Sequence, residues 1–136
     1  MKRLAFCILF MLAAVELVPS FACTTAIISA EASGTGRPLL WKHRDTDEYF
    51  NHIGYLKGEK YSFTALLNTR DTVYTEVWAG ANEKGFVIAN NVSYNINLKK
   101  YDNPSTNGVV MMDALGVCAT VDEFEDFLKA MPVPRG

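Results

Sequence analysis

The chain has 136 residues, a formal net charge of −2, 49% hydrophobic and 21% charged residues. That balance allows one packed domain and excludes the low-hydropathy composition of a disordered chain. It holds no run of Lys or Arg, which excludes the electrostatic footprint of a nucleic-acid partner.

The first 22 residues read as a signal peptide. Lys2 and Arg3 form a basic start, Leu4–Val15 is apolar, and Pro19 breaks the run. Ser20-Phe21-Ala22 then sets small residues three places and one place before Cys23, the pattern that signal peptidase cuts. The apolar run is shorter than the ~20 residues of a membrane-spanning helix, so no stable membrane insertion is expected. Removal would leave an exported, periplasmic or secreted chain (23–136) that begins at Cys23 and keeps one other cysteine, Cys118. Export favours a Cys23–Cys118 disulfide, although Cys118 closes an apolar run and resembles a core thiol. Alternatively, Cys23 is the lipidated residue of a non-catalytic lipoprotein or interaction module. Ser20 and Phe21 fit that processing poorly, since it favours a Leu-like and then a small residue at their positions.

In chain order, Thr24–Ala30 and Leu39–His43 read as two strands of a hairpin around the Ser33-Gly34-Thr35-Gly36 turn. Asp45–Asn51 is a polar loop. Ile53–Lys57, Tyr61–Asn68 and Val73–Trp78 are further strands, with a turn at residues 69–72. Asn82-Glu83-Lys84-Gly85 is a compact turn before a strand at Phe86–Asn90, and Ser93–Asn107 is a long polar loop. The period then changes. Val109–Cys118 reads as a largely buried helix, and Glu123–Met131 as an amphipathic one capped by Thr120 or Asp122 and ended by Pro132 and Pro134. Strands followed by helices predict an α+β fold with helices on one sheet face. The other face would expose apolar area, which leads us to expect a piece of a longer protein.

A cysteine made N-terminal by processing carries its own base. Its α-amine titrates near ~8, against ~10.4 for lysine, and can take the thiol proton directly or through water. A cation by the thiol, a carboxylate by the amine and donors for a tetrahedral oxyanion complete such a site. The segment Trp41-Lys42-His43-Arg44-Asp45-Thr46-Asp47 ends the strand paired with the one after Cys23, so Arg44 is expected near the thiol and Asp47 near the amine. A papain-like pair using His43 or His52 lacks the local cysteine signature, and zinc-ligand spacing is absent. No metal or cofactor is therefore expected.

Cys23-Thr24-Thr25-Ala26, the WKHRDTD segment, and Asn82-Glu83-Lys84-Gly85 leading into Ile88-Ala89-Asn90-Asn91 resemble the linear-amide hydrolases of the N-terminal-nucleophile superfamily. That group includes penicillin V acylases, bile salt hydrolases and isopenicillin N acyltransferases. The resemblance covers roughly residues 23–135. It implies the first half of an αββα sandwich, with Cys23 as nucleophile, Arg44 by the thiol, Asp47 by the amine and Asn91 in the oxyanion hole. Asn90 is the alternative, since a one-residue slip reverses the face. It also implies a small acyl amide or acyl thioester as substrate, and it is compatible with a homo-oligomer. The family is typically much longer, and its second half supplies another Asn and Arg, so this chain alone is expected to be inactive. Tyr49, Phe50, Tyr61, Phe63, Trp78 and Tyr94 are candidates to line an apolar acyl site, Tyr49 and Trp78 first among them.

Overall fold

The computed structural model describes residues 23–46, 48–70, 76–91 and 107–131. They form a mixed α+β arrangement of two antiparallel sheets and two helices. The expected leader (1–22) lies outside the described residues, as do Asp47, Tyr94 and most of the expected 93–107 loop.

β1 (Thr24–Ile28) and β2 (Leu39–His43) make a hairpin, with Thr24 opposite His43 and Ile28 opposite Leu39. β1 stops two residues earlier than the sequence suggests, because Ser29 turns the chain by accepting from the Ala32 N–H. Ser33 then accepts from the N–H groups of Thr35 and Arg37, while Gly36 takes a left-handed φ of 66° that side chains resist.

A second sheet runs β3 (Asn51–Lys57), β4 (Ser62–Asn68), β5 (Ala79–Asn82) and β6 (Val87–Ala89) as an antiparallel meander. Strand alternation divides its side chains into two faces. Phe63, Ala65 and Leu67 point inward, and their β3 partners Leu56, Gly54 and His52 share that face. Ile53, Tyr55 and Val87 lie on the outer face, exposed by 66%, 70% and 45%. The inner face takes helix α1 (Asn107–Val117), whose Met111, Ala114 and Leu115 join Phe63, Ala65, Leu67, Val77, Phe86 and Cys118 in one core. Helix α2 (Val121–Ala130) flanks it, adding half-buried Phe124 and Phe127. Phe124 tilts against Phe86 with ring centres 5.6 Å apart. Thr120 is the cap, accepting from the Glu123 N–H, while the Glu123 carboxylate accepts from Ala119. No helix among the described residues is long and apolar enough to cross a membrane.

One expected strand moves. Residues 76–78 of the expected Val73–Trp78 strand are not in a ladder, residues 73–75 lie outside the described set, and β5 occupies Ala79–Asn82. Small residues with weak strand propensity hide β5 in the sequence. Tertiary packing fixes it instead: a Cβ on Gly80 would stand 2.6 Å from Leu115 Cδ1 and 2.9 Å from the Thr64 carbonyl. Gly58 and Gly116 likewise let the β3–β4 turn meet the end of α1, where Gly116 accepts from the N–H groups of Lys60 and Tyr61.

Asn82 both ends β5 and opens the expected compact turn, where its carbonyl accepts from the Gly85 N–H. It is 7% exposed, and its amide is fully used. The NH2 donates to the Leu115 and Cys118 carbonyls, and the oxygen accepts from the Lys84 and Phe86 N–H groups. One side chain thus satisfies the carbonyls that α1 leaves open at its end and ties the helix to the β5–β6 turn. Asn82→Ala strands these buried groups, so it is expected to lower unfolding free energy by about 2–4 kcal/mol, measured by urea denaturation. A loss below about 0.5 kcal/mol would contradict the clamp.

Candidate active site

The hairpin ladder ends at Thr24–His43, so Cys23 and Arg44 flank the same end of it as the next residue on each side. Cys23 is half-buried, and its thiol donates to the Asp45 carbonyl at 3.8 Å. Along β2 and just after it, Lys42 and Arg44 fall on one face, while Trp41 and His43 stack on the other at 6.3 Å between ring centres. His43 therefore faces away from the cations beside Cys23.

Both cations leave the hairpin for the larger sheet. The Arg44 guanidinium lies over the Trp78 ring, 4.3 Å from its centre, and donates to Asn51 Oδ1. Lys42 Nζ donates to the Asn90 backbone carbonyl and, at 3.0 Å, to Asn90 Oδ1. Burial lowers the pKa of Lys42 from its ordinary value; a Cys23 thiolate pushes it upward, and the Arg44 charge pushes it down. The Arg44 pKa is also lowered, first by burial, with a Cys23 thiolate and then Glu48 opposing. Two partly desolvated cations and the thiol thus share one electrostatic neighbourhood.

The expected residues are distributed unevenly around it. Cys23 and Arg44 come together, and Asp47 lies outside the described residues. Asn90 is held by Lys42, whereas Asn91 is exposed just beyond β6. Trp78 forms a platform under Arg44, and its buried indole N–H has no hydrogen-bond partner among the described residues. The expected aromatic acyl pocket does not assemble among the described residues. Tyr49 is 81% exposed, Phe50 lies beneath Arg70, Tyr61 lies beneath Lys84, and Phe63 is core. Their strand and loop positions turn them outward or into the inner face rather than toward Cys23. A shallow open groove of about 340 Å³ beside Lys42 is instead lined mostly by aliphatic side chains, among them Leu40, Ile53, Leu66 and Val87. Lys42 is the residue that sequence reasoning missed; its two-residue spacing from Arg44 was the available signal.

Among the described residues, no three of His, Cys, Asp and Glu gather as metal ligands would. Cys23 and Cys118 are free thiols, so the expected export disulfide is absent. Burial pushes the Cys118 thiol up from its ordinary value, with Glu123 adding to the effect and Lys60 opposing it. Cys118 is 2% exposed. At pH 8, iodoacetamide is expected to modify Cys23 at least about ten-fold faster than Cys118 in the folded chain, read by peptide mass mapping. Equal rates would contradict the placement of Cys118 in the core. Compared with family models, curated proteins and solved structures, the chain finds no match.

Proposed function

We propose that this chain carries the nucleophile of an amide C–N hydrolase or acyltransferase, acting through a thioester on Cys23 once residues 1–22 are removed. The observation that carries the reading is the β1–β2 hairpin, at one end of which a half-buried thiol and Arg44 flank the ladder, within reach of the Lys42 charge. The new α-amine of Cys23 takes the thiol proton, and the thiolate attacks the acyl carbon. The carbonyl oxygen becomes a tetrahedral oxyanion, stabilised by nearby donors. The C–N bond then breaks, and the leaving amine takes the proton from the α-ammonium. Water or a second amine attacks the thioester, releases the acyl group as acid or amide, and restores the thiol. The oxyanion requires donors and the thiolate requires cations; Lys42 and Arg44, with the Asn90 amide that Lys42 holds, are the groups we assign to these tasks.

The sequence resemblance to N-terminal-nucleophile amide hydrolases supports the same reading. So does the apolar outer sheet face with Ile53, Tyr55 and Val87, which a second sheet would cover in an αββα sandwich. The aliphatic groove beside Lys42 suits an apolar acyl group.

The test is acyl-amide turnover by the full gene product, alongside Cys23→Ala and Cys23→Ser. Cys23→Ala is expected to lose turnover on the order of 10³-fold or more, and the parent enzyme to show an acyl mass adduct on Cys23. Undiminished turnover by Cys23→Ala would falsify the mechanism. A diacylglycerol adduct on the mature N-terminus would instead establish the lipoprotein reading.

A further inference from the structure

Lys42 makes two hydrogen bonds to a single residue. Its ammonium is a donor with no acceptor capacity, so the Asn90 amide must turn its oxygen toward Nζ. The 3.0 Å Nζ–Oδ1 contact has that orientation, and the backbone carbonyl of Asn90 receives a second N–H from the same ammonium. The Asn90 NH2 is thereby fixed on the side away from Lys42, while the cation draws electron density from the amide and strengthens it as a donor. Lys42 is also close enough to Cys23 for a thiolate to act on its charge. Lys42 therefore links the amide just after β6 to the end of the hairpin that Cys23 and Arg44 flank.

We propose that Lys42 is a positioning residue that locks Asn90 with its NH2 presented as the oxyanion donor for the Cys23 reaction. This rests on the amide-hydrolysis reading above and deepens it. It selects Asn90 over Asn91, because Asn90 is the neighbour gripped at both its oxygens. It also gives Lys42 a task distinct from that of Arg44, which is held over Trp78 and against Asn51. The lysine acts at one remove from the substrate, through the side chain that it orients.

A double-mutant cycle on the full gene product tests the assignment, with Lys42→Met, Asn90→Ala and the pair together. Deleting an oxyanion donor costs about 10²–10³-fold in kcat. Lys42→Met is expected to cost about ten- to a hundred-fold in kcat, with KM changed by less than about three-fold. The pair should be no slower than Asn90→Ala alone, since Lys42 has nothing to orient once the amide is gone. Lys42→Arg keeps charge and donors and should recover most of kcat, and Lys42→Gln, a neutral donor, should recover part. These two variants also separate the role from a general loss of folding. Multiplying losses in the pair would overturn the proposal, because Lys42 would then act on the thiol independently of Asn90. A rise in KM alone would overturn it as well. If the parent enzyme shows no Cys23-dependent turnover, the hydrolase reading fails and this role falls with it; additivity with turnover intact removes only the role of Lys42.

Discussion

Two cations, Lys42 on β2 and Arg44 just after it, carry the hairpin onto the larger sheet, and the candidate site depends on that junction. Lys42 reaches the end of β6 through Asn90, and Arg44 reaches the start of β3 through Asn51 and the approach to β5 through Trp78. Each is partly withdrawn from water, and burial lowers the pKa of each. Desolvating two like charges is unfavourable unless hydrogen bonds, a π face or a nearby anion compensate. Asn90, Asn51 and Trp78 supply the first two kinds of compensation, and a Cys23 thiolate would supply the third.

The rest of the fold holds this junction in place. The inner sheet face and α1 form the dry core, and Asn82 ties the end of α1 to the turn that launches β6. Gly58, Gly80 and Gly116 let backbone and helix approach more closely than a Cβ would allow. The position of Asn90 thus traces back through β6 to the packing of Phe86 and Leu115. A side chain in the site inherits its precision from contacts made in the core.

Much of this was legible in local sequence. The β2 limits were read directly, β1, β3 and β4 to within a residue or two, and the two helices to within about two residues, because alternation, turn residues and capping groups act over short distances. That Cys23 and Arg44 flank the same end of a hairpin followed from two strands close in sequence. β5 was hidden because Ala79-Gly80-Ala81-Asn82 has little strand propensity; its place is set by Leu115 and the Asn82 clamp, more than 30 residues away. Lys42 was hidden for another reason. Its partner Asn90 lies 48 residues along the chain, and no local rule links the two. Of the aromatic residues, Trp78 stands beside Arg44 and Phe63 joins the core; an apolar side chain on a strand reports burial or exposure only once the sheet faces are known.

The described strands fall into two sheets with no ladder between β2 and β6. Opening of the hairpin need not break the four-stranded meander, because side-chain contacts rather than a continuous backbone ladder join them. The two parts can therefore behave as separate cooperative units, with amide protons of β1 and β2 exchanging with solvent through a lower-energy opening than those of β4. Cys23 would then ride on the more weakly held unit. Whatever binds across the Lys42–Asn90 junction would slow exchange in the hairpin, coupling occupancy of the site to the order of the strand that carries the sulfur.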